Sequence, residues 1–438
     1  MATKKDLIEA QGFSRRRLLS AFTSGAPGGK ELDPAKPLRA VTAGVALTIM
    51  VLLGGLFYGL LRPGLPQGWE DHRLIVATDT GARYVSVKGV LHPVINAASA
   101  RLLIPSGQFD VIKTDQVTLA KIPVGPSLGI LGAPDDIPAP SSLRNTGWTA
   151  CVDGGAAPAV SIGGGSAVAA SAGAGTVVRR GDELFVISGG LRHAVPAASA
   201  DAVLRAVGLG TARIAAVDGR WLNLFAPGSD FAPLVLSGTG VRIPSSDLVS
   251  GEIVHVQGRP TDERYVITAD GKAAPLTALA YQLYLLGSGA NGAQVRDLPP
   301  AQLAALPTGA NAGGSDWPAN ALTPLPADAA TCALLDKDAH TVLASTTAKL
   351  PDDRKAPQVK VGTGALVQVG EGSAAMPMLI DGSGTAYAVA GGKDAVQRLG
   401  FATGDVGRAT DAWIQFFPAG PALSSAAAGR TPAAASGG

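Results

Sequence analysis

The stretch RYVSVKGVLHPVINAASARLL, residues 83–103, holds a small folding unit. Tyr84 opens an apolar alternation, and Lys88-Gly89 supplies a turn pair able to take positive φ. A second apolar run follows, and NAASARLL has the spacing of a helix packed on one side. Three further stretches share this layout. Phe185, Tyr265 and Tyr387 each open a short apolar run, with turn pairs at Gly189-Gly190, Asp270-Gly271 and Gly391-Gly392. Behind them come AASADAVLRAV, TALAYQLYLL and DAVQRLGF. His92 and His193 both fall eight residues past the aromatic.

A second phrase closes each copy: KIPVGP at 121–126, LFAPGS at 224–229, ALPTGA at 305–310 and FFPAGP at 416–421. Three read apolar, Pro, any, Gly; in the second, Ala226 takes the Pro place and Pro227 follows. From aromatic to closing Gly the spacing is 41, 43, 44 and 33 residues. Two landmarks in four copies identify structural repeats, and starts 101, 80 and 122 residues apart argue against a stacked solenoid.

The material between the copies differs. Residues 127–182 and 310–384 hold short alternating segments such as GWTACV, GTVVRR and ALVQVG amid Gly and Pro. They read as one extra β-rich domain assembled from non-contiguous insertions. The expected division is a basic segment at 1–39, a transmembrane helix at 40–61, a linker at 62–82, repeats at 83–126, 183–229, 263–309 and 385–421, central β segments at 127–182 and 310–384, a connecting segment at 230–262, and a disordered tail at 422–438, whose SSAAAGRTPAAASGG is too poor in large apolar side chains to bury a core.

Ala40–Leu61 carries 22 residues and no charge. At 1.5 Å per residue it reaches about 33 Å, enough for a hydrocarbon core of roughly 30 Å, and it lacks the polar face of a soluble core helix. Residues 1–39 hold Lys4, Lys5, Arg15, Arg16, Arg17, Lys30, Lys36 and Arg39, against mainly Arg62 and Arg73 beyond the span. That bias keeps the N-terminus in the cytoplasm and exports the rest. SRRRLLSA has the look of a twin-arginine signal, but PGGKELDPAKP separates it from the apolar run, so 1–39 reads as a retained segment.

Charged residues make up 16% of the chain, which with 57 Gly and 31 Pro implies short strands and many turns. A net charge of +2 gives no case for a nucleic-acid partner. Two cysteines, Cys151 and Cys332, exclude a Cys-rich metal site. Outside the cytoplasm they either pair or stand as two separately buried thiols. Paired, they would close a loop of 181 positions, worth on the order of 5 kcal/mol in the chain-entropy model.

Catalytic patterns fail on context. Gly125-Pro126-Ser127-Leu128-Gly129 fits the nucleophile elbow, yet that elbow needs a strand entering and a helix leaving, and Pro126 with SLGILGAPDDIPAP is loop-like. Gly287-Ser288-Gly289-Ala290-Asn291-Gly292 fits the dinucleotide fingerprint but follows an apparent helix instead of a strand. No G-x(4)-G-K-[ST] occurs, so a phosphate-cradling loop is unsupported. None of His72, His92, His193, His255 and His340 is spaced like a metal pair, and Asp135-Asp136 and Asp352-Asp353 read as solvated turns. No catalytic, cofactor or metal residue is expected.

The order of parts resembles EccB, a membrane component of type VII (ESX) secretion systems. Phe13-x-x-Arg16-Arg17-x-x-x-Ala21-Phe22 resembles the family's N-terminal phrase, PLRA at 37–40 leads into the span, Tyr84–Leu103 resembles its repeat, and IPVGPSLGILGAP, Trp148-x-x-Cys151 and FFPAGPAL are similar to its later phrases. The resemblance implies an α+β chain: one N-terminal transmembrane helix, then an elongated periplasmic domain with four β-hairpin/helix repeats in pseudo-twofold relation about a central β-rich domain. It implies a disulfide joining Cys151 to Cys332, and a cytoplasmic partner contact at Phe13, Arg16 and Arg17. The implied partners are EccC (an FtsK/SpoIIIE-type ATPase), EccD, EccE, the mycosin protease and further copies of the chain, at the inner membrane. The implied role is a scaffold of the secretion complex. The alternatives are a membrane-anchored ATPase, an activity attributed to the family, or a cell-wall-binding or hydrolysing module. The cytoplasmic segment is short for the family, and GGAAPAVSIGGGSAVAASAGAG is unusually rich in Gly and Ala.

Overall fold

A computed structural model of the protein describes residues 3–24, 37–60, 64–155, 157–244 and 246–432. The chain divides into two units, Met1–Gly64 and Leu65–Gly438. The first contains helices α1, Lys4–Ser24, and α2, Pro37–Leu60. Ala40–Tyr58 of α2 has a mean hydropathy of 2.2 and no buried residue, so it is one helix long and apolar enough to cross a membrane. Its Thr42 and Thr48 hydroxyls donate to the Leu38 and Gly44 carbonyls, which spares an apolar surrounding two unsatisfied donors. Leu61, the last residue of the span read from sequence, lies outside the described residues.

Among the described residues, the second unit holds five sheets. Four share one plan: a hairpin, a leading strand antiparallel to the hairpin's first strand, and an edge strand parallel to the leading strand. Parallel pairing needs a crossover, and each copy's helix lies in it. In repeat 1 the order is Val90–Pro93, Arg83–Val87, Leu74–Ala77, Val111–Thr114. Repeat 3 repeats it with Ala273–Leu276, Arg264–Ile267, Ile253–Val256 and Val295–Leu298. Repeat 4 uses Ala386–Ala388, Met376–Ile380, Ala365–Val369 and Gly407–Arg408. Repeat 2 uses Leu191–Val195, Glu183–Ser188, Ala174–Arg180 and Ile214–Ala216, with Ala226–Pro227 and Thr323–Pro324 added.

Three expectations need correction. The leading strands Leu74–Ala77, Ala174–Arg180, Ile253–Val256 and Ala365–Val369 fall in stretches read as linker, connecting segment or central domain, because no shared motif marks them. Tyr387 does not open the fourth hairpin; it lies in its second strand, opposite Leu379. The turn is at 381–385, where Asp381 Oδ1 accepts from the amides of Ser383 and Thr385 and Oδ2 accepts from the Tyr387 hydroxyl. Gly391 and Gly392 instead start the helix Gly392–Arg398. Finally, residues 422–432 are built into the fold: Leu423 pairs with Val389, and the helix Ser425–Ala428 buries Ala428 completely. Residues 433–438 lie outside the described residues.

The fifth sheet draws Thr149–Val152, Ala159–Ile162 and Val168–Ala169 from one insertion, and Ala330–Leu335, Thr341–Thr346 and Gln358–Val359 from the other. Its largest core cluster takes Trp148, Ile162 and Leu335 from this sheet, Trp221 and Phe225 from repeat 2, and Trp413 and Phe417 from repeat 4. A second cluster joins repeats 1 and 4 through Ala98, Leu102, Val396 and Leu399, and a third joins repeats 2 and 3 through Val203, Val207, Leu279 and Leu283.

Candidate functional site: the anchor, the disulfide and the repeat junctions

The anchor helix, the disulfide and the joints between the repeats are the features that position this chain's surfaces. On α1, Phe13, Arg16 and Arg17 stand at i, i+3 and i+4 and so share one side of the helix. Phe13 is 53% exposed, and the Arg16 guanidinium donates to the Gly12 carbonyl at 3.3 Å.

Cys151 and Cys332 face each other across the antiparallel strands Thr149–Val152 and Ala330–Leu335 and form a disulfide, with Cα atoms 4.0 Å apart. Both are buried, so the bond staples the two insertions where they meet. Disulfide pairing, left open by the sequence alone, is what the structure contains.

The closing phrase of each repeat is a short edge segment laid on the hairpin's second strand. The amides of Leu91, Ala273 and Ala386 donate to the carbonyls of Pro123, Pro307 and Pro418. In return, the amides of Gly125, Gly228, Gly309 and Gly420 donate to the carbonyls of Leu91, Arg192, Ala273 and Ala386. The next side chain on that strand lies over the glycine: His92, His193, Ala274 or Tyr387. A Cβ at 125 or 420 would overlap the His92 or Tyr387 ring, and one at 228 would lie 2.7 Å from His193 Cε1; at 309 the Ala274 Cβ stands at 3.3 Å. At 125, 228 and 420 close approach, not positive φ, therefore demands the glycine. Counted from this position, the spacing to the closing Gly is 33, 35, 35 and 33 residues.

The recurrent histidines are accounted for by this packing. His92 Nδ1 meets the Pro126 carbonyl at 3.0 Å, and His193 Nδ1 meets the Ser229 carbonyl at 2.7 Å, the same relative position. His193 also stacks on Phe231 with centroids 4.1 Å apart, and burial pushes its pKa below the ordinary value. Tyr387, in the equivalent place, is buried next to Asp381 and pushed up to about 12. Among the described residues, no group of three His, Cys, Asp or Glu is placed to hold a metal ion. Ser127 lies two residues after the closing Gly125, behind Pro126, and just before Leu128, whose amide donates to the Pro93 carbonyl, so no strand-to-helix elbow is present there. Gly287 ends the helix Ala278–Leu286, and no strand precedes the glycine run.

Sequence reasoning missed the residues that decide which repeats dock on the central sheet. Seven positions before the closing Gly, repeats 2 and 4 carry Trp221 and Trp413, whereas repeats 1 and 3 carry Thr118 and Gln302. Both tryptophans are fully buried. Trp221 Nε1 donates to the Ala150 carbonyl at 2.8 Å, and Trp413 Nε1 donates to Thr341 Oγ1 at 2.9 Å, each reaching a central strand or its rim. Trp413 also meets Trp148 edge-on at 6.1 Å. The outer joint has its own signature. Arg101 of repeat 1 donates to the Leu399 carbonyl at 3.1 Å, and Arg398 of repeat 4 donates to the Leu102 carbonyl at 3.3 Å, a reciprocal exchange between the two helix ends.

A family model described as "Type VII secretion system ESX-1, transport TM domain B" matches residues 1–434. The chain belongs to the EccB family. Among curated proteins, this EccB chain is 36% identical over 136 residues to the "ESX-3 secretion system ATPase EccB3" of Mycolicibacterium smegmatis, covering 30% of the chain and 25% of that protein. It is 33% identical over 125 residues to the "ESX-5 secretion system ATPase EccB5" of Mycobacterium tuberculosis, covering 28% and 23%. These matches thus span about a quarter of the curated relatives' length. Two solved structures share the EccB fold more broadly. A chain of an intact ESX-5 inner membrane complex superposes with a TM-score of 0.66 at 21% identity, covering 99% of this chain and 96% of that one. The EccB3 dimer from the ESX-3 core complex superposes at 0.67 with 23% identity, covering 82% and 99%.

Proposed function

We propose that this chain is a structural, membrane-anchored component of a type VII (ESX) secretion complex. The observation that carries the proposal is the family match along residues 1–434, over a chain whose α2 is long and apolar enough to span a membrane. Cationic residues before α2 favour an N-terminus in the cytoplasm and a repeat-bearing domain in the periplasm. In this reading Phe13, Arg16 and Arg17 engage cytoplasmic partners, and α2 anchors the chain in the inner membrane. The repeats and central sheet act outside, the disulfide holding the two insertions together. The partners proposed are EccC, EccD, EccE, the mycosin protease and a second copy of the chain. We place the repeats where the sequence put them, each extended N-terminally to include its leading strand.

Relatives carry the word ATPase in their names, but this chain has no P-loop motif, and its role here is non-catalytic. Deleting residues 1–39 leaves the repeat-bearing unit folded and abolishes co-purification of the other subunits; a complex that survives the deletion refutes the proposal. Full-length chain hydrolyses ATP at background rate, and turnover abolished by one point substitution would establish the enzymatic reading instead.

A further inference from the structure

The glycine-rich run Gly287–Gly292 leads from the helix Ala278–Leu286 of repeat 3 toward its edge strand Val295–Leu298. Two of its glycines are fixed by packing. A Cβ at 287 would overlap the Leu234 carbonyl, and one at 289 would lie 2.8 Å from Tyr284 Cδ1. Gly292 differs: its φ is +90°, and no atom outside its chain neighbours stands within 4 Å of where a Cβ would be. Asn291-Gly292 is thus a turn pair at an open loop tip, and both residues are exposed. Among the described residues, the Asn291 side chain has no hydrogen-bond partner, and the Gly292 amide makes no backbone hydrogen bond. With no Cβ on Gly292, its nitrogen can approach the Asn291 carboxamide unhindered.

The chain has six asparagines, and Asn291 alone precedes a glycine. Three of the others are held in place. Asn96 Oδ1 accepts from the Ser99 amide at 2.9 Å, Asn145 Oδ1 from the Leu366 amide at 2.8 Å, and Asn223 Oδ1 from the Arg192 guanidinium at 2.9 Å. Asn311 and Asn320 are exposed, but each precedes an alanine, whose Cβ crowds the backbone nitrogen. The Ala312 amide is also committed, donating to the Pro275 carbonyl at 2.9 Å.

We propose that Asn291 is a site of spontaneous covalent modification, deamidating to aspartate and isoaspartate with water as the co-reactant. The Gly292 nitrogen gives up its proton and attacks Asn291 Cγ. A C–N bond forms and closes a succinimide ring; the Cγ–Nδ2 bond breaks, and the side-chain nitrogen leaves with the proton as ammonia. Water then opens the ring. Cleavage of the new bond at Cγ leaves an aspartate, and cleavage at the main-chain carbonyl leaves an isoaspartate, with the chain running through the side chain. Nothing is oxidised or reduced. Either product adds one negative charge to a chain whose formal net charge is +2. The reaction needs only this loop and water, whatever partners the chain assembles with.

The full chain in detergent is incubated near neutral pH at body temperature, then reduced, digested with trypsin and weighed by mass spectrometry. Peptide 273–296 holds Asn291 as its one asparagine, and peptide 297–337 holds Asn311 and Asn320. The expected result is a gain of about 1 Da in 273–296, at least about tenfold faster than in 297–337. Part of the product accepts a methyl group from an isoaspartyl methyltransferase. Gly292→Ala slows the gain at least about tenfold, and Asn291→Ser abolishes it. Mass gained by 273–296 in the urea-unfolded chain but not in the folded one overturns the proposal, since the loop would then protect Asn291. Equal rates in the two peptides, or a gain that persists in Asn291→Ser, overturn it as well.

Discussion

Replacing Trp413 by Ala tests the docking of repeat 4 most sharply. The side chain is fully buried, meets Trp148 edge-on at 6.1 Å, and donates to Thr341 Oγ1 at 2.9 Å. Truncating such a residue costs about 3–5 kcal/mol, from the lost transfer energy and the cavity left behind. Since each ~1.4 kcal/mol is a factor of ten, local opening of repeat 4 rises by roughly two to three and a half orders of magnitude. Native-state amide exchange of the full chain in detergent reads this directly, through the strands Ala365–Val369, Met376–Ile380 and Ala386–Ala388. Repeat 3, whose core does not include Trp413, keeps its protection at Ile253–Val256. Trp413→Phe retains most of the apolar contact and loses the bond to Thr341, a change of about 1 kcal/mol beyond its volume effect. Unchanged protection in repeat 4, or equal loss in repeats 3 and 4, would refute the idea that this tryptophan sets which repeats dock.

Further expectations concern the closing glycines and the buried histidine. Gly420→Ala destabilises by about 1–3 kcal/mol because its Cβ collides with the Tyr387 ring, and adding Tyr387→Ala recovers part of the loss in a double-mutant cycle read by denaturant unfolding. Gly309→Ala, facing only Ala274 at 3.3 Å, costs less than Gly420→Ala; equal costs would contradict the packing account. His193 is favoured neutral in the fold because burial lowers its pKa, while the unfolded chain takes up a proton near pH 6.5. Its contribution is therefore complete above about pH 6.5 and is lost as pH falls from there toward the depressed folded value. His255 has the opposite sign: bonding to Asp297 raises its pKa, so its contribution is complete below about pH 6.5 and fades as pH rises through the raised value. Thermal unfolding between pH 5 and 7.5 shows an acid limb that flattens in His193→Phe, and an unaltered limb in that variant would assign the acid loss elsewhere.

The hairpins and closing phrases were legible because turn chemistry and close approach impose residue types. Asp270-Gly271 answers a positive φ, and Gly125 answers a ring above it. The leading strands were not legible as parts of the repeats: GTVVRR and ALVQVG read as alternating segments of the central domain, and LIVA, AGTVVRR, IVHV and ALVQV share only burial, which has no spacing motif. Repeat 4 was read one strand late because Tyr387 stands where the histidines of repeats 1 and 2 stand, and the shortened spacing of 33 residues was the trace of that shift. Trp221 and Trp413 were visible as letters, but their meaning appears only when counting back from the closing Gly. The ordered segment 422–432 escaped because a small helix can bury Leu423 and Ala428 without a long apolar run.

The redox state of Cys151 and Cys332 in intact cells bears on the topology on which the scaffold rests. Cells are quenched in acid, denatured, and treated with a thiol-reactive mass tag before and after reduction. The account predicts that neither cysteine takes the tag until a reductant is added, as befits a disulfide kept outside the cytoplasm. Two tags on the unreduced chain would place these strands in the reducing cytosol and contradict it.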